Sequence, residues 1–367
     1  MAAPTIAFTG GGTGGHLYPG LAVIERLREK GFPGRIAWLG STKEGDRATV
    51  EGAGVEYLAL PSGKLRRNLS LENAADAFRV LAGYAASLKA LRELRPELLF
   101  SKGGYVSVPP CAAAARLGIP YFTHESDLSP GLATRLNARR AERILVSYEE
   151  TRSRFPRELG AKVLVLGNPI RESIRRGDAA RGRAILGAPA GLPVILFLGG
   201  SQGARQVNEL VAALLPGLSG AAFVAHQTGG AAEAPSGGGA GRYRSYGYIR
   251  AEMPDILAAA DLVVGRAGAG TLWECAALGK PMILVPLCGS GTRGDQVDNA
   301  RLFAERGAAR ALVGEEASPE RLLAEIRSLL ADPARLSAAG RAARELAGAD
   351  AAEAAARLIL ERLGVPA

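Results

Sequence analysis

The sequence predicts an α/β protein made of two doubly wound domains that face a cleft. Short apolar runs alternate with helix-like segments along almost the whole chain, which is typical of parallel sheets wrapped by helices on both faces. Each half opens on an apolar run, a glycine-rich turn and a helix start, first around Gly10 and again around Gly199. The length of 367 residues also suits roughly two domains.

In the first half, a strand is predicted wherever a short apolar run is bounded by turn residues. Leu21, Ile24 and Leu27 recur at helical spacing after the first run, and Pro19 suits the first turn of that helix. The predicted strands cover 6–8, 36–39, 57–60, 98–100, 121–123, 144–146 and 163–166.

The second half repeats this pattern after a boundary at Gly167-Asn168-Pro169, which directly follows a strand. The boundary predicts an N-terminal domain at 1–167 and a C-terminal domain at 168–347. The Ala-rich segment 348–367 is predicted to form a helix that packs back on the first domain. Strands of the second half are predicted at 194–198, 223–225, 262–264, 282–285 and 309–312.

Composition and charge describe a globular protein with a basic surface. Hydrophobic residues make up 47% of the chain, charged residues make up 22%, and the formal net charge is +9. A basic protein favours phosphorylated ligands, anionic lipid or nucleic acid. The sequence lacks the interleaved basic and aromatic residues of single-strand binders, so we expect no nucleic-acid partner.

Cysteine usage and apolar run lengths indicate the compartment. Cys111, Cys275 and Cys288 are odd in number and far apart, which indicates reduced thiols in a cytosolic protein. No metal-ligand spacing is present. The sequence also lacks a signal-peptide pattern and any apolar run long enough to cross a bilayer. Any membrane contact is therefore expected to be peripheral.

The glycine-rich turn at 10–16 is the most distinctive stretch of the chain. Five glycines allow close approach of the backbone to a ligand. The free N–H groups of the following helix start suit a phosphate or a developing anion. Gly10, Gly12 and Gly15 also fit a dinucleotide-binding pattern, but the second strand ends in Gly40-Ser41 instead of an acidic residue. The NAD interpretation therefore loses its second support.

An apolar stripe follows a basic segment in the first half and has two interpretations. It is either an ordinary core-facing stripe or the apolar side of an interfacial helix that meets anionic lipid. The basic residues are Lys64, Arg66 and Arg67, and the stripe consists of Leu71, Ala75, Phe78, Leu81 and Leu88.

Seven sequence motifs lie in order along the chain, at 11–16 with Pro19, 102–107, 124–127, 167–171, 199–204, 266–274 and 295–299. Taken jointly and in this order, they resemble those of the MurG family of N-acetylglucosaminyltransferases. The chain departs from the family at Ser126-Asp127, where the family often has Gln-Asn, and at Thr134, where Asn is common.

This resemblance implies a GT-B fold and an inverting transferase without a cofactor. The donor would be UDP-N-acetylglucosamine (UDP-GlcNAc). The acceptor would be lipid I, the undecaprenyl-pyrophosphoryl-MurNAc-pentapeptide, which becomes lipid II for peptidoglycan synthesis. The enzyme would work as a peripheral protein on the cytoplasmic face of the cell membrane, beside other cell-wall synthesis proteins. Two alternatives remain: a GT-B transferase for another lipid or natural product, and a UDP-sugar-binding protein without turnover.

Inverting transfer needs a base for the acceptor hydroxyl, and His16 is the first candidate. An ordinary histidine titrates near the working pH, and His16 directly follows the glycine turn. His124 and Glu125 compete for the role because they follow a predicted strand.

The leaving diphosphate needs charge stabilisation, for which some transferases use a metal held by Asp-x-Asp. This sequence contains no Asp-x-Asp, so we expect helix N-termini and arginines to take that role and no metal to be needed. Glu274 is predicted in the first turn of its helix. The resemblance gives it the ribose hydroxyls, gives Ile249 the uracil through its backbone, and places Gln296 and Asp127 near the donor sugar.

The full set of substrate-binding residues that these considerations predict is Thr13, Gly14, Gly15, Asp127, Arg171, Ser201, Gln202, Ile249, Arg266, Ala269, Gly270, Thr271, Leu272, Trp273, Glu274 and Gln296.

Overall fold

The chain forms two compact units in a computed structural model, Met1–Arg171 with Ala349–Ala367, and Glu172–Gly348. The structure describes residues 3–63, 71–200, 203–218, 220–230, 241–289 and 292–366, with the backbone but not the side chains of 71–75. Each unit is a parallel sheet with helices packed around it. The predicted α/β class with two doubly wound domains is therefore confirmed.

Over the described residues, the sheet of unit 1 has seven parallel strands in the order β3-β2-β1-β4-β5-β6-β7. The strands are β1 (Thr5–Thr9), β2 (Arg35–Gly40), β3 (Glu56–Ala59), β4 (Leu98–Ser101), β5 (Tyr121–Glu125), β6 (Arg143–Val146) and β7 (Val163–Val165). The helices are α1 (Gly14–Glu29), α2 (Glu44–Gly52), α3 (Leu71–Leu94), α4 (Val108–Leu117) and α5 (Leu132–Ala138), with 3₁₀ turns at Tyr105–Ser107, Glu149–Arg154 and Arg157–Lys162.

The strand order of unit 1 reverses between β1 and β4, which lie side by side. Ile6, Phe8, Leu98 and Phe100 on these strands are fully buried, because a central parallel strand is covered by helices on both faces. Ligands of doubly wound sheets bind at the carboxyl ends of the strands beside such a reversal. The glycine turn that follows β1 therefore lies where this fold places a ligand.

The last helix of the chain, α14 (Ala351–Leu363), belongs to unit 1 and packs against α1. Its Ala355, Ala356, Ile359 and Leu360 side chains are buried in the same core as β1 and α1. Asp350 caps the helix start by accepting from the N–H groups of the first turn. Its carboxylate also pairs with the α1 guanidinium of Arg26 at 2.7 Å.

Unit 2 contains a second parallel sheet, with six strands over the described residues in the order β10-β9-β8-β11-β12-β13. The strands are β8 (Val194–Leu198), β9 (Phe223–Gln227), β10 (Tyr243–Tyr246), β11 (Leu262–Gly265), β12 (Met282–Leu284) and β13 (Ala309–Ala311). The helices are α6 (Glu172–Arg175), α7 (Ala179–Leu186), α8 (Arg205–Leu218), α9 (Met253–Ala259), α10 (Ala269–Ala277), α11 (Asp295–Glu305), α12 (Pro319–Leu330) and α13 (Pro333–Ala347), with a 3₁₀ turn at Gly314–Glu316.

Strand β10 was not predicted from the sequence. It reads Tyr-Arg-Ser-Tyr and lies at the edge of the sheet, paired only with β9 among the strands described. An edge strand is not covered on both sides, so it needs no continuous apolar run.

Helix α3 divides the predicted apolar stripe in two. Leu88 packs against the core of unit 1, whereas Phe78 and Leu81 are 74% and 64% exposed. Among the described side chains of the stripe, the core interpretation thus holds for Leu88 and fails for Phe78 and Leu81. The basic residues at 64, 66 and 67 and the side chains of Leu71 and Ala75 lie outside the described residues. None of the described helices meets the length and hydropathy that a bilayer span requires.

Candidate active site

His16 lies in the first turn of α1 and is fixed from two sides. Its Nδ1 is 3.0 Å from the Thr13 hydroxyl oxygen. The face of its ring lies over Gly104, where a Cβ atom would come within 3.2 Å of three ring atoms. Gly104 also has φ +76, a left-handed conformation that favours glycine. The ring is therefore held in one orientation and is partly accessible to solvent.

The glycine turn is tied down by side chains of the neighbouring strand and helix. The Asp46 carboxylate accepts from the Gly12 N–H at 2.7 Å and from the Ser41 hydroxyl at 2.6 Å. The Trp38 indole N–H donates to the Gly10 carbonyl at 3.0 Å. Because its N–H is bound to a carboxylate, Gly12 does not offer this amide to an anion. The expectation of an anion site at the start of α1 stays a prediction.

His124 and Glu125 both hold the backbone, and neither is placed to act as the base. His124 is fully buried, and its Nε2 contacts the Gly167 carbonyl at 2.9 Å. Burial, and next the charge of Lys102, keep the pKa of His124 well below its usual range. Glu125 accepts from the N–H groups of Ser126, Asp127 and Gly131 at 2.9, 3.1 and 3.0 Å. His16 therefore remains the candidate base.

Lys102 is a buried residue of this site that the sequence analysis placed in the motif at 102–107 without giving it a role. It is 2% exposed, and its Nζ lies 2.5 Å from the Ser126 hydroxyl oxygen. The Ser126 hydroxyl donates in turn to Asn168 Oδ1 at 2.6 Å. A lysine two residues after a predicted strand was the available signal, because that position lies at the ligand-binding edge of the sheet.

Arg171 and Tyr18 meet in unit 1. The Arg171 guanidinium carbon lies 4.3 Å from the centre of the Tyr18 ring, a distance suited to a cation–π contact. Tyr18 belongs to α1, one turn after Gly14. The contact brings the predicted Arg171 next to the helix that carries His16. Asp127 is half-buried in the loop after β5.

In unit 2 the order of the strands reverses between β8 and β11, and both are followed by predicted site residues. Ser201 and Gln202, which follow β8, lie outside the described residues. Arg266 follows β11, and its Nη1 donates to Gln206 Oε1 at 2.9 Å and to the Val285 carbonyl at 3.0 Å. Burial lowers the pKa of Arg266, although an arginine remains charged at any working pH.

Helix α10 begins at Ala269 with Gly268 as its N-cap, so Ala269, Gly270 and Thr271 form its first turn. The first turn contains no acidic residue. The expectation that Glu274 lies there was wrong, because the helix begins within the Gly268-Ala269-Gly270 segment and Glu274 falls in the second turn. Glu274 is half-buried, whereas Leu272 and Trp273 are buried in the core of unit 2.

Two further residues that were predicted to contact the donor substrate make hydrogen bonds within unit 2. The Ile249 N–H donates to Gln227 Oε1 at 3.0 Å. The Ile249 carbonyl oxygen is therefore the backbone group to consider as the contact of the uracil nucleobase. Gln296, in the first turn of α11, accepts from the Leu287 N–H at 3.0 Å through Oε1. Its amide NH₂ is the group suited to a sugar hydroxyl.

Within the described ranges, no three His, Cys, Asp or Glu side chains come together as a metal ion would require.

Two doubly wound units in one chain, each with its polar residues gathered where the strand order reverses, form the architecture of GT-B glycosyltransferases. The chain belongs to glycosyltransferase family 28. The N-terminal domain of that family matches residues 6–146, and its C-terminal domain matches residues 194–358.

Similar proteins narrow the family further. A relative from Treponema denticola is 46% identical over 346 residues, with 88% of each chain covered. One from Lachnoclostridium phytofermentans is 42% identical, covering 87% of this chain and 88% of its own. Both are named UDP-N-acetylglucosamine--N-acetylmuramyl-(pentapeptide) pyrophosphoryl-undecaprenol N-acetylglucosamine transferase. The crystal structure of MurG from Acinetobacter baumannii has a TM-score of 0.74 at 25% identity, covering 98% of this chain and 99% of its own. The resemblance to the MurG family is confirmed.

Proposed function

We propose that this chain transfers GlcNAc from UDP-GlcNAc to lipid I with inversion, giving lipid II at the cytoplasmic face of the membrane. The observation that carries the proposal is the 46% identity over 88% of the chain to a relative named for this transfer. The roles of individual residues follow from their geometry and chemistry.

His16 is proposed to take the proton from the 4-hydroxyl of the acceptor MurNAc as this oxygen attacks the anomeric carbon. A base needs an unprotonated ring nitrogen within reach of the hydroxyl. If Nδ1 carries the proton and donates it to the Thr13 hydroxyl oxygen at 3.0 Å, Nε2 is left as the acceptor. In that tautomer the Thr13 hydroxyl accepts from Nδ1, and this contact keeps the ring in one orientation.

As the new C–O bond forms, the bond to UDP breaks and negative charge grows on the diphosphate. We propose that the N-terminus of α10 and the Arg266 guanidinium stabilise this charge. The first-turn amides of a helix and a fixed guanidinium are ready to accept an anion without rearrangement. With these groups in place, we propose that transfer needs no divalent metal.

Transfer is tested with radiolabelled UDP-GlcNAc and lipid I, or a short-chain analogue, in buffer with and without EDTA. We expect a labelled β-1,4 product at the same rate in both buffers. A failure to transfer under any detergent condition would exclude the activity. A rate that falls in EDTA and returns with Mg²⁺ would exclude only the metal-free account.

Cys288 offers a measurement of donor binding in unit 2. It is exposed, and it lies close enough to Arg266 to influence the Arg266 pKa. Cys111 and Cys275 are buried, and burial raises the pKa of both thiols. A thiol reagent should therefore label Cys288 selectively, since the thiolate is the reactive form.

We expect UDP to protect Cys288 from alkylation, and Glu274→Ala to raise the UDP concentration for half-protection about tenfold, the effect of losing a hydrogen bond to a charged group. Arg310→Met, a distant exposed arginine that pairs with Glu325, is the control. Equal protection of wild type and Glu274→Ala would remove the ribose role of Glu274. No protection by UDP in the wild type would place the nucleotide elsewhere.

Exposed apolar side chains on unit 1 support the proposed membrane contact. Phe78 and Leu81 lie on α3. Leu132 and Leu136 on α5 are also exposed, at 59% and 37%. Helices α3 and α5 both pack on α4. Arg135 on α5 is exposed as well. Apolar side chains beside a cation suit the interface of an anionic bilayer.

Phe78→Asp with Leu81→Asp should weaken cosedimentation with anionic vesicles by about tenfold per residue, because each change removes one large apolar side chain from the lipid interface. The matched control, Phe78→Leu with Leu81→Met, should sediment like the wild type. Transfer to a water-soluble short-chain acceptor should stay at the wild-type rate. Vesicle binding unaffected by the two aspartates would exclude this part of α3 from the membrane contact.

A further inference from the structure

A buried ammonium group crosses the carboxyl edge of the sheet in unit 1. Lys102 directly follows β4, and its N–H donates to the Thr9 carbonyl at 2.8 Å. Its side chain reaches Ser126 after β5 at 2.5 Å, and Ser126 reaches Asn168 after β7 at 2.6 Å. Lys102 is 2% exposed, so its side chain links three loop segments of the proposed active site below the protein surface.

The groups that face this ammonium determine which charge it balances. The charges of Glu125 and Asp127 raise the pKa of Lys102, and the charge of Lys102 in turn lowers the pKa of His124. His124 is neutral at physiological pH because its pKa is strongly lowered. Glu125 also accepts from three backbone N–H groups. The ammonium thus balances the charges of both carboxylates, and Asp127 is the one whose side chain can be substituted without breaking those backbone bonds.

The backbone of the same lysine leads to the proposed base. Lys102 is followed by Gly103 and Gly104, and Gly104 supports the face of the His16 ring. Displacement of Lys102 would therefore move the surface on which His16 rests. Asp127 and His16, which we place at the donor sugar and at the acceptor hydroxyl, share this one support.

We propose that Lys102 is a positioning residue for transfer, whose buried ammonium holds the Ser126-Asp127 turn and the Gly104 support of His16 in their productive arrangement. The inference rests on the proposed transferase function. Because a charge-assisted hydrogen bond is about twice as strong as a neutral one, loss of the Lys102 proton should weaken the arrangement without abolishing it.

The protonation of Lys102 should appear in the pH profile. Burial lowers its pKa to about 8, against the opposing charges of Glu125 and Asp127. Wild-type kcat should therefore fall as the pH rises through about 8, because the ammonium form is the productive one. Lys102→Met carries no proton at any pH, so its kcat should lack this fall and should meet the wild-type value at high pH.

At neutral pH, Lys102→Met should lower kcat about tenfold, as expected for loss of a hydrogen bond to a charged group. Half-protection of Cys288 by UDP should stay unchanged, since the nucleotide is held by unit 2. Lys89→Met is the control, because Lys89 is 80% exposed. A Lys102→Met variant that keeps the alkaline fall of the wild type, or that loses kcat and UDP affinity equally, would overturn the proposal.

A double variant tests the dependence of Asp127 on the cation. In the background of Asp127→Asn, which removes the charge and keeps the shape, Lys102→Met should lower kcat by less than it does in the wild type, since coupled residues are not additive. The loss that remains reports the support of Ser126 and His16. If the two substitutions multiply independently, Asp127 does not depend on Lys102.

Ser126→Ala provides a second route if Lys102→Met does not fold. It removes the acceptor of the Nζ bond and leaves the charge, so the alkaline fall of kcat should move to lower pH. A fall at the wild-type pH would contradict the proposal.

Thermal unfolding of the wild type, the two single variants Lys102→Met and Asp127→Asn, and their double variant measures the pairing of the Lys102 and Asp127 charges without any transfer reaction. Coupled unfolding together with an inactive wild type would therefore reject the transferase function and leave the pairing in place.

Discussion

Replacing His16 with alanine is expected to lower kcat by ~10²-fold or more, the usual contribution of a general base. The affinity for UDP should be nearly unchanged, because His16 belongs to unit 1 and the proposed nucleotide groups belong to unit 2. The measurement is kcat for transfer to a short-chain lipid I analogue, together with UDP protection of Cys288. A loss confined to kcat identifies an interaction made in the transition state.

Thr13→Val is the companion to this variant. It removes the hydroxyl that lies 3.0 Å from Nδ1 and leaves the imidazole, so the ring loses a contact that orients it. We expect an intermediate loss of kcat. If His16→Ala weakened UDP binding as strongly as turnover, or lowered turnover by less than Thr13→Val, His16 would be a structural residue.

Arg266→Met is expected to lower kcat by ~10²- to 10³-fold, the effect of removing one preorganised group that stabilises a developing anion. The guanidinium is held by Gln206 and the Val285 carbonyl, so it meets the diphosphate without first being ordered. Methionine keeps most of the apolar stem and removes the charge. The loss should appear with both lipid I and a soluble acceptor, because the leaving group is the same.

Arg310→Met is the control for the Arg266 variant. Arg310 lies on β13 of the same unit, is half-exposed, and pairs with Glu325 at 2.9 Å. Exposed ion pairs contribute little to stability, and we expect turnover to be unchanged. Equal losses in the two arginine variants would mean that net charge, and not the position of Arg266, supports transfer.

The fold follows from the sequence because the signal for it is local. Central strands such as β1 and β8 contain a continuous run of buried apolar residues, at 6–8 and 194–198, and glycine turns mark where each chain segment leaves the sheet. The edge strand β10 does not have to be apolar, so its sequence contains no apolar run that would predict a strand. Phe78 and Leu81 show the opposite limit, because helical spacing marks a common face and does not indicate whether a core covers it.

The site is less predictable because its support comes from distant segments. Nothing near Gly12 in the sequence points to Asp46, which binds its N–H across 34 residues. The link from Lys102 through Ser126 to Asn168 joins three loops that only the parallel sheet brings together. The start of α10 is readable from its glycines, and the error lay in placing Glu274 in the first turn, although it comes five residues after Ala269.

The return of α14 to unit 1 has a consequence for folding during synthesis. Residues 172–348 form one continuous stretch, whereas unit 1 is assembled from both ends of the chain. Unit 1 cannot complete its core before Ile359 and Leu360 have been synthesised, because both side chains belong to the core around α1. The domain that is translated first is thus the one whose core is completed last, and part of its apolar surface stays uncovered while unit 2 is being made.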